Sequence, residues 1–261
     1  MHAIIRYTII TALRDWLFLG ILLLVLLGTT ISLFLGSTAL VEQQFMAAAF
    51  ISSAVRMITI LGLVVFVCFH VRRSFDNKEV ELILSKPISR VAFVISYFSG
   101  FAWLAFCIVT PVSLLFWALH LIKYLDLQLG GLIWWSVSFY LETLIVLSFT
   151  FFGALLLRSA VSSVLFALSF YFLCRIYGFL LISINSVASM GRSTLLGRVS
   201  EDILSFLGIF IPRLDMFTKS EWLIYGFTLE FNHIYLVVQS TAIYVMLFLA
   251  MAVFDFVRKQ F

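Results

Sequence analysis

The sequence predicts an all-α integral membrane protein with six transmembrane helices, an N-terminal interfacial amphipathic helix, and short external helices before the last span. Three observations predict it. Hydrophobic residues make up 63% of the 261-residue chain and charged residues only 11%, against about 25% charged in an ordinary soluble domain. A soluble monomer of this size has no interior large enough to hide that much apolar surface. The apolar stretches are also long and unbroken, whereas a transmembrane barrel is written as short alternating segments. Finally, 29 Phe and only three Pro exclude collagen-like and low-complexity chains.

Charges are rare enough to divide the chain. None lies between Asp15 and Glu42, in residues 91–122 or in 231–254, while 43–71 hold only Arg56. Residues 127–157 hold only Glu142, and 159–191 only Arg175. Roughly 20 residues cross a bilayer once, so the spans fall near 16–38, 50–70, 91–121, 132–157, 160–184 and 233–256. The third is long and contains Pro111, which removes one helical hydrogen bond. Thr110-Pro111-Val112-Ser113 is a poor polar hairpin, so the stretch counts as one span.

Six spans put both termini on one side. Arg6, Arg14, Arg72, Arg73, Lys78, Lys86, Arg90, Arg158, Arg258 and Lys259 share that side. Arg56, Lys123, Arg192, Arg198, Arg213 and Lys219 fall on the other, mostly in one long loop. Because long loops count little in the positive-inside rule, both termini are expected to be cytoplasmic. The first apolar run is too long for a signal peptide and lacks a cleavage site, so an uncleaved first span is expected. The net charge of +4 fits a cytoplasmic membrane face rather than a nucleic-acid partner.

Residues 1–261 read as one transmembrane domain with three notable segments. In 1–15, Ile4, Ile5, Ile9, Ala12, Leu13 and Trp16 recur at helical spacing, as an interfacial helix or an extension of the first span. In the cytoplasmic loop 72–90, Asp76 followed by Glu79 fits a capping box with Asp76 as the N-cap. Val80, Ile83 and Leu84 then share one face of a short helix that Pro87 ends at Lys86. That apolar ridge suits either docking into a partner's groove or resting on the membrane. The external loop 186–231 is too hydrophobic for a solvated linker, and Trp222 and Tyr225 are expected at headgroup depth.

Inside the membrane, Glu142 lies 15 residues before Leu157 and Arg175 lies 15 after Ala160. In an antiparallel pair they share one depth, about 22 Å from the cytoplasmic end. Three readings stand: an ion pair that fixes the two helices, a polar lining of a substrate path, or snorkelling to the external interface. Gly28, Ser32 and Gly36, four apart, mark a packing surface, with the contact between two subunits one place for it. Ser159 and Ser163 repeat the spacing. The cysteines and histidines stand apart, with no C-x-x-C or H-E-x-x-H, so no metal site is expected. No Ser-His-Asp arrangement is visible, and no catalytic residue is assigned.

Glu81-Leu82-Ile83-Leu84-Ser85-Lys86-Pro87-Ile88-Ser89-Arg90, placed after the second of six spans, resembles the permease subunits of exporter-type ABC transporters, the type-two ABC permease superfamily. Pro212-Arg213-Leu214-Asp215-Met216-Phe217 resembles a Pro-x-Leu-Asp-x-Phe pattern in that family's last external loop. The layout covers nearly the whole chain, and the specific wording covers about 30 residues. There are departures. Family members often carry Glu near Ser74 and a Gly-Lys pair where this chain has Ser96-Tyr97. Asp76, Glu79 and Glu81 are left as the acids for an ionic contact with an ATPase.

The resemblance implies a permease subunit in a bacterial-type inner membrane. Its coupling helix, with Asp76, Glu79, Val80, Glu81, Ile83, Leu84, Lys86, Pro87 and Arg90, would dock on a separate ATP-binding subunit. The chain has no G-x-x-x-x-G-K-[ST], so ATP and Mg²⁺ belong to that partner. Two permeases, identical or homologous, and two ATP-binding subunits are implied. The Phe-rich, charge-poor spans favour export of a lipid-like, drug-like or other amphipathic substrate. Two other classes compete. One is an ABC-type membrane subunit that works on an external partner or on cofactor assembly without moving substrate through itself. Its large external domain is missing from a loop of about 45 residues. The other is a secondary carrier, which would usually show repeats and ion-coupling acids.

Overall fold

The computed structural model describes residues 10–11, 16–38, 43–85, 88–123, 125, 127–189, 208, 211–225 and 231–258. The expected interfacial helix at 1–15 and most of the loop before the last span lie outside the described residues. Six long helices carry the fold: α1 (Trp16–Ser37), α2 (Gln43–Asp76), α4 (Arg90–Leu121), α5 (Leu129–Leu156), α6 (Ala160–Ser189) and α8 (Phe231–Arg258). The short helices α3 (Glu79–Leu84) and α7 (Trp222–Tyr225) and a 3-10 turn (Leu214–Phe217) sit at the two ends. All six long helices are long and apolar enough to cross a membrane. The protein is a multi-pass, all-α membrane protein.

Helix is the form these segments must take, because a lipid-embedded chain has to satisfy its backbone internally. Scattered hydroxyls do the same: Thr29, Thr143, Thr150 and Thr241 each donate to the carbonyl four residues back, at 2.7–2.9 Å. The spans begin and end with local signals. Ser89 caps α4 by accepting from the Ala92 amide at 3.2 Å. α4 runs through Pro111 without a break and leaves through Lys123, whose φ of 56° is left-handed like that of Lys78. Arg90 reaches across and donates to the Val257 carbonyl at 3.0 Å, capping the end of α8.

α5 is the central helix and the most deeply buried of the six, while α8 is the least. α2, α4, α6 and α8 pack around it, and α1 packs on α2. Phe149 of α5 stacks on Phe170 of α6, with ring centroids 3.8 Å apart, and meets Phe248 of α8 edge-on at 5.1 Å. The outer faces stay apolar, with Leu23, Leu27 and Phe34 on α1 and Leu165 and Ile176 on α6 exposed to what is lipid in a membrane.

The small residues of α1 meet α2 of the same chain, which settles their partner. A Cβ on Gly36 would lie 2.5 Å from Ala47 Cα, and one on Gly28 would run into Ile58 Cδ1. Ser32 is buried on the same seam. The expected packing surface is here an intrachain helix pair.

The six long helices alternate in direction, so the bundle has two distinct ends. One holds residues 77–85 and 88–89, the α5–α6 turn and the close of α8. The other holds the 211–225 segment, which lies over α2 and α5. Gln128 donates its amide to the Leu223 carbonyl at 2.9 Å, and Ser52 and Ser220 share a 2.8 Å hydrogen bond.

Candidate functional site

A buried charge cluster occupies the middle of the bundle. Glu142 is fully buried at the midpoint of α5, and Arg56 of α2 is only 2% exposed. Arg56 Nη1 donates to Glu142 Oε2 at 2.8 Å. Its Nη2 donates to the Trp135 carbonyl at 3.1 Å and to Ser138 Oγ at 3.0 Å. The guanidinium also lies 4.7 Å from the Trp135 ring centroid and 5.2 Å from that of Phe139. Paired, hydrogen-bonded and stacked, Arg56 meets the conditions under which a charge is tolerated in a dry interior.

Arg175 of α6 is the second cation. Its Nη1 stands 3.7 Å from Glu142 Oε1, an ion pair too long for a good hydrogen bond. The two residues do share a depth, as counting from the α5–α6 turn predicts. The nearer partner of Glu142, however, is Arg56. Hairpin counting relates only consecutive helices, so it could not reach α2. The available signal was the isolated charge itself, since an arginine in an apolar span needs an acid and only one was on offer. Arg56 was instead grouped with the external charges. It lies 13 residues inside α2, which begins at Gln43.

The cluster is tied to the 211–225 end. Ser138 Oγ lies 2.8 Å from the Trp135 carbonyl and 3.0 Å from that of Phe217, and its single proton serves one of them at a time. Pro212, Leu214 and Phe217 are buried, so the Pro-x-Leu-Asp-x-Phe segment packs into the bundle. Asp215 pairs with Arg213 at 3.0 Å and stands where a Cβ on Gly178 would collide with it. Trp222 is buried with its ring 6.1 Å from that of Trp134, while Tyr225 is exposed.

At the opposite end, α3 forms as expected, but its start and its buried face differ. Asp76 closes α2 and pairs with Arg72, at 2.6 Å, one turn back. The residue before α3 is Lys78, in the left-handed region with φ 57° and no side-chain cap. The capping box is not made, because Asp76 is still inside the preceding helix. Val80 is 2% exposed and belongs to the main apolar core, with half-buried Ile83 packed against it. The ridge therefore faces the protein's own bundle rather than a partner. What α3 presents outward is Leu82, 66% exposed, with Glu81 beside it. Glu79 is half-buried; the Leu84 side chain, Lys86 and Pro87 lie outside the described residues.

The two departures from the family's wording touch each other. Ser74 Oγ and Tyr97 OH are 3.0 Å apart and buried, beside the rings of Phe93, Phe101 and His70. The two are joined by a neutral hydrogen bond. Tyr97→Phe is expected to cost about 1 kcal/mol by leaving Ser74 with one partner fewer. Denaturant unfolding of the purified protein measures it.

Cys68 and Cys174 are buried, Cys107 is half-buried, and none is in a disulfide. Among the described residues no group of three His, Cys, Asp or Glu could hold a metal ion. No protein-family model and no curated protein matches the chain.

Proposed function

We propose that the chain is the transmembrane permease subunit of an ATP-driven ABC exporter for a lipid-like, drug-like or other amphipathic substrate. The observation that carries this reading is α3. It is a short helix hung from the end of α2, anchored inward by Val80 and offering Leu82 and Glu81 outward. Such a helix transmits a push only if it is fixed to a stiff element, and α2 is one. From Asp76 it runs without interruption for 20 residues to Arg56, about 30 Å at 1.5 Å per residue. Displacement of α3 would therefore reach the helix that carries one pole of the charge cluster, in the manner of a rigid-body switch.

In this reading two permeases, identical or homologous, pair with two ATP-binding subunits in a bacterial-type inner membrane. Both termini face the cytoplasm with α3, and ATP and Mg²⁺ are held by the partner. Substrate moves as the subunits rock between two openings.

The test is purification of the tagged chain from native membranes in mild detergent, with mass identification of what accompanies it and an assay of ATP hydrolysis. An ATP-binding subunit is expected to co-purify. Leu82→Asp is expected to weaken that association at least about tenfold, the loss of one buried leucine from an interface, with unfolding of the permease unchanged. Val80→Asp is the wrong probe because it strikes the core. Recovery of a folded chain with no ATPase partner in several detergents would overturn the reading and bring the secondary carrier forward.

A further inference from the structure

Arg56 and Arg175 share one carboxylate, and they share it unequally. Arg56 holds Glu142 Oε2 at 2.8 Å, while Arg175 stands 3.7 Å from Oε1. The titratable groups that act on Arg56 are Glu142, Arg175 and the Tyr171 phenol, and no second carboxylate joins them among the described residues. One turn further along α6, Asp215 is already paired with Arg213. Among the described residues two cations therefore meet one anion in the cluster, leaving one positive charge in excess there. A surplus cation at that depth is costly unless an anion joins it.

The surplus falls on Arg175. Arg56 is sealed in by α5, whereas the Arg175 side chain is 26% exposed. Its approach is apolar, since Phe172 and Ile176, on the same stretch of α6, are 39% and 57% exposed. Tyr171 lies beside it, with the Arg175 guanidinium 5.8 Å from its ring centroid. The Tyr171 side chain is fully buried, and its hydroxyl has no hydrogen-bond partner among the described residues. A planar guanidinium with open donors, a phenol hydroxyl and an apolar rim suit one ligand chemistry: an acidic head on a hydrocarbon tail.

The geometry points to Arg175, with Tyr171 beside it, as the binding site for the carboxylate or phosphate head of an anionic amphiphile that enters from the outer face of α6. Arg56 makes the site possible by holding the carboxylate that would otherwise neutralise Arg175. Arg175 lies 15 residues into α6, about 22 Å from its start. In the export reading the ligand is cargo in passage. Its role as cargo rests on the export reading; its binding does not.

The experiment uses the full chain alone, in nanodiscs of phosphatidylcholine, with a fluorescent long-chain fatty acid and its methyl ester as probes. The acid is expected to bind saturably and the ester at least about tenfold more weakly, the worth of one charge-assisted contact. Arg175→Gln should lower affinity for the acid to that of the ester, and Arg175→Lys should retain part of it. Displacement by phosphatidylglycerol identifies a lipid phosphate as the ligand. Displacement only by unlabelled fatty acid identifies a free carboxylate. Equal binding of acid and ester, or unchanged affinity in Arg175→Gln, overturns the proposal. Should Arg175→Gln fail to fold, the acid–ester comparison on the unaltered chain still decides. No ATPase is present, so failure of the export reading would leave these results standing.

Discussion

Glu142→Leu is expected to destabilise the protein by about 3–5 kcal/mol, the cost of breaking a buried ion pair from one side. The substitution removes the one carboxylate that Arg56 and Arg175 share. Arg56 has no route to solvent, so its charge is left against the Trp135 carbonyl, Ser138 and two aromatic rings. Arg175 suffers less, because its exposed side chain can turn outward. Arg56→Met alone should also be damaging, since it leaves Glu142 with only the long contact to Arg175. Combining Arg56→Met with Glu142→Leu should recover about 2 kcal/mol or more, because replacing a whole buried pair with apolar groups is often neutral. Reversible unfolding in mixed micelles gives all four corners of this cycle. Additive losses below about 1 kcal/mol each would show that the pair contributes no coupling.

The spans were legible because a membrane leaves the chain few choices. The expected 16–38 is Trp16–Ser37, and 91–121 is Arg90–Leu121. Roughly 20 apolar residues flanked by charge can only be a helix across the bilayer. The ends were less legible. α2 was expected from 50 to 70 and runs from Gln43 to Asp76, because helix continues into water when nothing stops it. That extension swallowed Asp76 and removed the expected cap.

Partner identity was the part the sequence withheld. Periodicity shows that Val80 and Ile83 share a face but not what covers it, and the cover is the protein's own core. The Gly28–Ser32–Gly36 seam behaves the same way, being matched by Ala47 and Ile58 of the next helix. Glu142 was found because charge is conspicuous in an apolar span. Its strongest partner was missed because pairing between α2 and α5 skips a helix, and no loop length records it.

Gly131→Ala is expected to destabilise the protein by about 1–3 kcal/mol, the usual cost of forcing a methyl group into a packed site. Adjacent Gly130→Ala should be neutral or slightly stabilising. Both replacements raise helix propensity on α5 by about 1 kcal/mol, so propensity cannot separate them. Space does. A Cβ on Gly130 meets nothing within 4 Å, whereas one on Gly131 would overlap the backbone carbonyl of Trp222. A backbone atom cannot swing aside as a side chain does, so α7 would have to lift. Lifting it strains the Gln128 amide bond to the Leu223 carbonyl and exposes Leu223, which is fully buried. The disturbance has a short path inward, since the same segment carries the Phe217 carbonyl that faces Ser138, a hydrogen-bond partner of Arg56. Thermal unfolding of the two variants, with Trp fluorescence reporting on Trp222 and Trp134, distinguishes the cases. Equal stability of the pair would show that the 211–225 segment does not clamp the start of α5 and that the charge cluster is held from within the bundle alone.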